Sequence, residues 1–403
     1  TRHIFQAKVL FLLKKLLIIG LVMFKDNVLL RKSGRLRVLH ITGGPLDNGG
    51  ITNFLLNYFR FINKSEFQFD FLVQGESLNA ILQEVIDQGG NVISIPYKST
   101  SITSHITLTY SAIKHGDYDI VHCHQDAMNI IPILMAKLCK VDVVISHSHN
   151  TAHCKTGLVR SILHDFVLRF SRLFSFHKFA CSSEAARWLF GKNLIEKKDF
   201  HIIYNAVNID SFLFNKRLRE KVRESLQLNK CFVIGMIGRL DAQKNHKFMI
   251  ELAVLLSQVN LEGKQIKFVI IGSGPDEDYL KDVAVQRGLS NITWLGNCNN
   301  VTELINSFDL FIMPSLFEGL GISCIEAQIN GLPCLVSDNV PQGVKISNGV
   351  EFINLNPELW TERILYYFNN LNRNKFDVDI TDYRIENATK KLEVIYKELT
   401  RNE

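Results

Sequence analysis

The chain has 403 residues, of which 46% are apolar and 21% charged, as in a globular protein of two or three domains. Nine lysines and arginines against one acid lie in its first 37 residues, so the remainder carries 37 basic and 39 acidic side chains. This near-neutral body argues against a nucleic-acid-binding surface. The eight cysteines form no Cys-x-x-Cys pair and favour a reduced, cytosolic protein without structural zinc.

The first segment, residues 1–35, is basic and amphipathic. Residues 4–25 are apolar apart from lysines that share one helical face, and the longest uncharged stretch, residues 16–24, is too short to span a bilayer. The pattern predicts a helix that lies in an anionic membrane interface, with the protein at the inner face of the membrane. Two alternatives are an uncleaved signal-like stretch and a misassigned start, since the chain opens at Thr1.

From residue 36 onward, short β-rich stretches alternate with helical ones in two successive series. The continuous apolar character of many stretches is typical of parallel strands covered on both faces. We therefore predict an α/β protein with two Rossmann-like, doubly wound parallel-sheet domains that face a cleft: residues 36–212, residues 213–376, and a closing helix in residues 377–403. The predicted strands are 38–41, 69–73, 92–95, 120–123, 141–146, 178–182, 201–204, 232–237, 267–271, 292–295, 310–313, 334–336 and 352–353.

A glycine cluster, residues 43–50, directly follows the first strand. Such a loop aims backbone N–H groups and a helix N-terminus at an anion. A P-loop is rejected because Gly50 and Ile51 stand where Lys and Ser or Thr are needed. The cluster is either a loop that admits the phosphates or sugar of a ligand or a tight turn.

Two further loops follow strands of the second series. Residues 238–245 contain Arg239 and Lys244, two cations at a strand end and helix start that can converge on a diphosphate or simply form a basic loop. Residues 272–274 read Gly-Ser-Gly, but Glu277 replaces the third glycine of a dinucleotide fingerprint, which leaves a strand-to-helix turn.

The strongest element is residues 313–327, where Glu318 lies in a glycine-bearing loop and Glu326 follows within an apolar helix. An acid inside such a helix is costly without a partner. A ribose diol offers two hydrogen-bond donors, whereas a salt bridge within the helix is the structural alternative. His122 and His124 have the spacing of possible metal ligands, but no carboxylate or cysteine set completes a site, so no metal is predicted.

Four elements together resemble the retaining glycosyltransferases of the GT-B fold, specifically the group 1 or family 4 enzymes. They occur in family order over residues 36–400: Asn48-Gly49-Gly50, Gly238-Arg239-Leu240 with Lys244-Asn245, Gly272-Ser273-Gly274-Pro275, and Glu318-x7-Glu326. Within the family, the His-Ser-His-Asn element at residues 147–150 and the late segment 337–345, which lacks the family's common acidic and glycine-rich stretch, resemble the bacterial exopolysaccharide and capsule branch. Residues 204–210 also resemble the family's Asn-Gly-Val-Asp segment, with Ala206 replacing the glycine.

The resemblance implies a role for each matching residue. Arg239 and Lys244 would neutralise the donor diphosphate, Glu326 would hold the ribose, and Glu318 would bind sugar hydroxyls. The histidine past the fifth strand would contact the donor sugar, with His147 the match by register and His149 the second choice. Residues 294–297 would border the base. The implied donor-binding set is Gly49, Gly50, Arg239, Lys244, Glu318, Gly319, Leu320, Gly321 and Glu326.

The resulting hypothesis is a hexosyltransferase that moves a sugar from a nucleotide diphosphate, with UDP expected, to a glycan or lipid-linked saccharide in surface polysaccharide biosynthesis. The transfer would need neither a metal nor another cofactor, because cations would stabilise the leaving diphosphate. One alternative is a nucleotide-sugar epimerase or oxidoreductase, which would need an intact Gly-x-Gly-x-x-Gly. A second alternative is a catalytically silent partner protein that binds sugar nucleotides.

Overall fold

The computed structural model describes most of the body of the chain. It covers residues 34–47, 49–151, 165, 176–192, 200–259, 263–370, 373 and 377–401. The amphipathic segment predicted at residues 4–25 lies outside the described residues, as does Asn48 of the first glycine cluster. In the part of the chain that is described, no helix combines the length and the apolar character that crossing a bilayer requires.

The first domain is built on a seven-stranded parallel sheet with the order β3-β2-β1-β4-β5-β6-β7. Its strands are β1 (Leu36–Thr42), β2 (Phe67–Gln74), β3 (Asn91–Ile95), β4 (Ile120–His124), β5 (Val143–Ser148), β6 (His177–Ala180) and β7 (His201–Ile202). Its helices are α1 (Gly50–Phe61), α2 (Asn79–Asp87), α3 (Ile102–Gly116), α4 (Ile130–Leu138) and α5 (Ser183–Phe190). Strands β4 and β5 are buried at every position, because helices cover both faces of the sheet.

The second domain has a six-stranded parallel sheet with the order β10-β9-β8-β11-β12-β13. Its strands are β8 (Cys231–Ile237), β9 (Gln265–Ile271), β10 (Ile292–Trp294), β11 (Leu310–Met313), β12 (Cys334–Ser337) and β13 (Val350–Ile353). The helices after β7 are α6 (Ile209–Phe212), α7 (Lys216–Ser225), α8 (His246–Ser257), α9 (Glu277–Gln286), α10 (Val301–Leu304), α11 (Ile322–Ile329), α12 (Pro357–Asn369) and α13 (Ile385–Arg401).

The prediction of two doubly wound parallel sheets is confirmed. Each predicted strand is present, with ends that differ by two residues or fewer. The proposed domain boundary, between residues 212 and 213, lies at the end of α6. In each sheet the strand order reverses beside the first strand of the series, and ligands of such sheets bind outside the carboxyl ends of the strands at this point.

The last helix, α13, packs against the first domain rather than the second. Leu392, Ile395 and Tyr396 are buried in the same core cluster as Phe67 and Phe69 of β2. The chain reaches this position through backbone hydrogen bonds from Val207 N–H to the Tyr383 carbonyl (2.9 Å) and from Ile385 N–H to the Val207 carbonyl (3.1 Å). The closing helix therefore completes the core of the first domain.

Candidate active site between the two domains

The loops after β5 and β11 bring the two domains into contact. A Cβ atom built on Gly319 would lie 1.8 Å from the backbone oxygen of His149, so only glycine permits this approach. Ser182 donates from Oγ to the Gly319 carbonyl at 3.0 Å, and the Thr151 hydroxyl donates to the Glu318 carbonyl. We call the region around these contacts the interdomain junction. Glu318 and Gly319 thus lie where the two domains meet.

Lys244 and Glu318 form an ion pair at the junction. Lys244 Nζ lies 2.6 Å from Glu318 Oε1, and the side chains are 19% and 6% exposed. Ser315 Oγ donates to the same carboxylate oxygen at 2.7 Å. The two loops are also joined through the backbone, since Leu316 N–H donates to the Gln243 carbonyl at 2.8 Å. The pair therefore places a cation and an anion, both mostly buried, at the end of the loop that also contains Arg239.

Arg239 lies on the surface of the same loop. Its side chain is 66% exposed, and its Nε lies 3.9 Å from Asp241 Oδ2. Asp241 Oδ1 also accepts a hydrogen bond from Lys244 N–H at 3.2 Å, which fixes the loop between the two cations. A weak, solvated contact of this kind leaves the guanidinium free to move onto an anion.

Glu326 lies in α11, eight residues after Glu318, and it is partly buried. Burial raises the pKa of its carboxyl to about 8, and the nearby Lys244 only partly opposes this shift. None of the described residues donates a hydrogen bond to it. The salt-bridge alternative is therefore not what the structure contains, and the carboxyl is an acceptor without a donor.

The Gly-Ser-Gly loop after β9 packs directly on the Arg239 loop. A Cβ on Gly272, whose φ is +134°, would lie 2.1 Å from the Gly238 oxygen, and one on Gly274 would lie 2.3 Å from the Leu240 oxygen. Gly272 N–H also donates to the Gly296 carbonyl at 2.8 Å, which joins it to the segment predicted to border a base. These glycines allow close packing of loops, a role the sequence did not reveal.

The first glycine cluster leads into α1, with Gly49 as the N-cap residue. The Gly49 N–H donates to Asp47 Oδ1 at 2.8 Å, so in this structure that group is already engaged. A Cβ on Gly50 would meet nothing within 4 Å. Among the described residues of this loop, Gly50 and the following helix N-terminus are therefore open to a ligand.

The other side of the junction holds a cluster of five buried histidines, which come from three adjacent strands. They are His40 of β1, His122 and His124 of β4, His147 of β5, and His149 just after β5. His149 is the most exposed, at 8%, whereas His122, His124 and His147 are fully buried. Burial lowers the pKa of all five, to about 3 for His40 and His149, so the cluster is uncharged at neutral pH.

Hydrogen bonds divide the cluster into two rows. In the His149 row, His40 Nδ1 lies 3.0 Å from His124 Nε2, and His124 Nδ1 lies 2.9 Å from His149 Nε2. In the Tyr396 row, the Tyr396 hydroxyl lies 2.7 Å from His122 Nδ1, and His122 Nε2 lies 3.1 Å from His147 Nδ1. The rows stack on each other, with His122 and His124 centroids 4.2 Å apart and those of His147 and His149 4.1 Å apart.

Comparison with known proteins decides the family. The model of the family described as Glycosyl transferases group 1 matches residues 219–376, and that described as Glycosyltransferase Family 4 matches residues 48–211. The chain is also 33% identical over 331 residues to the putative glycosyltransferase EpsF of Bacillus subtilis (strain 168), covering 79% of this chain and 83% of that protein. This chain is a family 4, group 1 glycosyltransferase.

Other relatives of this glycosyltransferase agree with the assignment. It is 28% identical over 327 residues to the UDP-Gal:alpha-D-GlcNAc-diphosphoundecaprenol alpha-1,3-galactosyltransferase of Escherichia coli, covering 75% of this chain and 80% of that one. The crystal structure of Anabaena HepE in complex with UDP-glucose matches it with a TM-score of 0.69 at 14% identity, over 91% of this chain and 99% of that one. The GT-B fold predicted from the sequence is therefore confirmed.

The structure of the glycosyltransferase brings most of the predicted donor-site residues together on one domain. Lys244, Glu318, Gly319 and Glu326 lie in neighbouring loops or in the helix that follows them, and Arg239 lies in the Lys244 loop. Leu320 is buried, and Gly321, with a φ of +91°, caps the N-terminus of α11. Gly49 and Gly50 lie apart from these residues, on the first domain.

The predicted sugar-contacting histidine is placed differently from the expectation. The His147 ring is fully buried, is bonded to His122, and packs against Phe54 and Phe179, at centroid distances of 5.1 and 6.0 Å. Its imidazole has no surface at the junction because the side chain points into the core of the sheet. His149, the second choice, retains exposed surface, and its backbone contacts Gly319.

Sequence reasoning missed the histidine cluster as a unit. Two groups of three histidines have the composition of a metal site, and within each group the ring nitrogens lie within 4.8 Å of one another. The groups are His40 with His122 and His124, and His124 with His147 and His149. Histidines of neighbouring strands, rather than carboxylates or cysteines, complete these groups. The His-x-His spacing on two strands that become adjacent in a doubly wound sheet was the available signal.

Proposed function

We propose that this glycosyltransferase moves a hexose from a UDP-sugar, with retention of anomeric configuration, to a saccharide carried on a lipid diphosphate in surface polysaccharide biosynthesis. The observation that carries the donor assignment is Glu326, a partly buried carboxyl with a raised pKa and no hydrogen-bond donor among the described residues. The two hydroxyls of a ribose supply the missing donors and favour the ionised form. Nucleotide binding would thus supply the hydrogen bonds that the Glu326 carboxyl does not receive from the described residues.

The diphosphate would lie between Glu326 and the Lys244 loop. Lys244 is close enough to Glu326 to influence its pKa, and the exposed Arg239 can fold over the same space. Charge on the departing UDP would be neutralised by these two cations and by the N-terminus of α11. No metal is needed in this scheme, because the protein supplies both positive charges.

The state of the carboxylates at the junction argues against a double displacement through a covalent sugar intermediate. Glu318 is paired with Lys244, and Asp126 accepts hydrogen bonds from the His149 N–H at 2.8 Å and from the Asn150 amide at 2.6 Å. Neither is available as a nucleophile that would form a covalent sugar intermediate. Since we propose retention and find no such nucleophile among these carboxylates, we infer attack by the acceptor hydroxyl on the same face from which UDP leaves, with a donor phosphate oxygen taking the proton. His149 and Glu318 would hold the sugar hydroxyls.

The acceptor assignment extends from relatives and from the amino-terminal segment. The Escherichia coli relative is named for transfer from UDP-Gal to a GlcNAc-diphosphoundecaprenol. A basic amphipathic segment at residues 4–25 would hold the enzyme against anionic lipid, where such an acceptor is anchored. Cytoplasmic action at the inner face of the membrane is the matching location.

The test is turnover with purified full-length protein. UDP-galactose, UDP-glucose and their N-acetyl forms are each incubated with an N-acetylglucosaminyl diphospho-lipid, and the product linkage is read by NMR. We expect one UDP-sugar to give an α-linked product without added metal. A β-linked product from an α-linked donor would refute retention. Nucleotide binding without turnover would favour a silent binding protein, and redox change of added NAD would favour an oxidoreductase.

The ribose contact has its own test. Wild type is expected to bind UDP about tenfold more tightly than 2′-deoxy-UDP, because the deoxy ligand leaves one hydrogen bond to Glu326 unmade. In Glu326→Ala the two ligands are expected to bind alike, by calorimetry. A variant that still discriminates tenfold would place the ribose elsewhere.

A further inference from the structure

We propose that His124 is a positioning residue for this transferase, which holds the imidazole of His149 in one tautomer with its Nδ1–H directed to the donor sugar. The inference rests on the proposed function, since it gives His149 a sugar to contact. It concerns the His149 row, His40–His124–His149, for which the proposed function gives no role to His40 or His124. His124 itself would touch no substrate, because it is fully buried.

His149 is fixed on several sides. Its Nε2 lies 2.9 Å from His124 Nδ1, so Nδ1 is the ring nitrogen left for a ligand. Its ring stacks on His147 and meets the edge of Phe54 at a centroid distance of 5.2 Å. Its backbone N–H is held by Asp126, and its carbonyl contacts Gly319 of the second domain. The only choice left to the side chain is which nitrogen carries the proton.

The neighbours of His149 make that choice. A neutral imidazole has one N–H and one lone pair. In a hydrogen bond between two imidazoles, one ring therefore donates its N–H at the contact, and the other accepts there and carries its own proton on its other nitrogen. If His40 donates from Nδ1 to His124, then His124 must donate from Nδ1 to His149, and the proton of His149 must lie on Nδ1. The reverse order would leave His149 with a bare Nδ1. The state of the row is therefore set as a whole.

The far end of the row favours the first order. His40 Nε2 is buried, and no described residue hydrogen-bonds to it. The ring lies against Phe69 and Phe71, at centroid distances of 4.4 and 5.6 Å. The first order leaves a lone pair in this apolar pocket, whereas the reverse order leaves an orphaned N–H, which native structures avoid more strictly. The pocket thus selects the tautomer at the junction, two residues away along the row.

Neutrality keeps the arrangement intact during turnover. Each histidine of the row is uncharged at neutral pH because burial disfavours the imidazolium. His149 would consequently act as a fixed hydrogen-bond donor to a sugar oxygen rather than as a proton carrier. Preorganised donors of this kind stabilise a transition state without reorientation.

His122 offers a matched control. It lies two residues before His124 on β4, is equally buried, and stacks on the His124 ring at 4.2 Å. Its hydrogen bonds, however, go to Tyr396 and His147 and not to His149. A role that came only from packing in the core would be shared by both histidines.

The experiment compares His124→Phe, His124→Asn and His122→Phe in the full-length protein. We expect His124→Phe to lower kcat by about 10²-fold while the KM for the UDP-sugar and the Kd for UDP change by less than about twofold, since the nucleotide is held by the other domain. The Asn amide can still donate to His149 Nε2 and should recover about tenfold of the loss. His122→Phe should retain kcat within about threefold. Thermal unfolding confirms that each variant is folded.

A second readout does not depend on turnover. Nitrogen-15 NMR of histidine-labelled wild type should show His149 protonated at Nδ1 and unprotonated at Nε2, and His124→Phe should show a mixture. Protonation at Nε2 in wild type would overturn the proposal. Equal losses of kcat in the two Phe variants would also overturn it, as would a stoichiometric metal ion bound by His124. If wild type shows the expected tautomer but transfers no sugar, the proposed function fails, whereas the assignment of the His149 tautomer to His124 still holds.

Discussion

The two sides of the interdomain junction use burial in opposite ways. On the first domain, hydrogen bonds join five buried histidines into two rows, one of which also includes Tyr396, and burial removes their charge by lowering their pKa values. On the second domain, burial raises the pKa of Glu326 and leaves its carboxyl without a donor, beside the Lys244–Glu318 pair and the exposed Arg239. The histidines are thus linked by hydrogen bonds within the first domain, whereas the Glu326 carboxyl accepts no hydrogen bond from the described residues.

This difference implies separate roles for the two domains, one in positioning the sugar and the other in binding the nucleotide. A set of neutral, mutually bonded side chains cannot attract a diphosphate but can present fixed donors to a sugar. The proposed site on the second domain combines cations with an acid that lacks a donor, and these groups would supply the affinity for the nucleotide. We expect substitutions on the second domain to act on donor affinity and those on the first to act on the rate of transfer.

The largest effect is expected from removing a charge on the second domain. Lys244→Ala removes a diphosphate cation and leaves the Glu318 carboxylate, 6% exposed, without its partner. We expect kcat/KM to fall by about 10³-fold with a large loss of UDP affinity. Lys247→Ala is the control, because Lys247 lies three residues away with its Nζ over the Tyr279 ring. A loss below tenfold in Lys244→Ala would show that Arg239 suffices for the diphosphate.

A smaller effect separates the two sides without touching a charge. Gly319→Ala would place a Cβ 1.8 Å from the His149 backbone oxygen, so the domains could not meet as they do here. We expect kcat to fall by about tenfold to 10²-fold with UDP affinity almost unchanged. Gly343→Ala, where a Cβ meets nothing within 4 Å, should behave as wild type. Rates and calorimetry on both variants decide the matter, and an unchanged kcat would mean that catalysis does not use this contact.

The smallest effect concerns stability and pH. Folded Glu326 keeps its proton up to about pH 8, whereas the unfolded chain releases it near 4.5, so the folded state binds more protons in between. Stability therefore falls as the pH rises through this window. Glu326→Gln lacks this loss and should gain at least about 1 kcal/mol over wild type at pH 8.5, with no gain at pH 4.

Denaturant unfolding at the two pH values measures that gain, with the exposed Glu358→Gln on α12 as control. A pH-independent difference between Glu326→Gln and wild type would show that the carboxyl ionises normally. The unsatisfied acid would then not be the feature that distinguishes the second domain.

Much of the fold was readable because buried parallel strands are continuous apolar stretches. β4 and β11 are examples, each buried at every position. The charged residues of the donor side were readable for a similar reason: Glu326 is an acid in an otherwise apolar helix. Local sequence carries both signals.

The remaining features depend on contacts between distant segments. The His149 row joins residues 40, 124 and 149, which become neighbours only when β1, β4 and β5 lie side by side. The sequence around Gly272 indicates only a turn, because the Gly238 carbonyl against which this glycine packs comes from another strand end. His147 and His149 lie two residues apart on the same face of β5 and its extension, and only His149 keeps exposed surface. The ends of predicted strands differ from the observed ends by up to two residues, so the sequence does not show which of the two histidines reaches the junction.

Helix α13 gives the protein an unusual order of completion during synthesis. Tyr396 is buried in the core of the first domain and bonded to His122, although the strands around it are made some 270 residues earlier. The second domain, whose last strand ends at Ile353 and last helix at Asn369, can assemble on the ribosome before α13 has emerged. The first domain is therefore the first to be translated and the last to be finished. Premature termination between residues 370 and 385 would therefore leave the strands and α-helices of the second domain in place and deprive the first domain of α13.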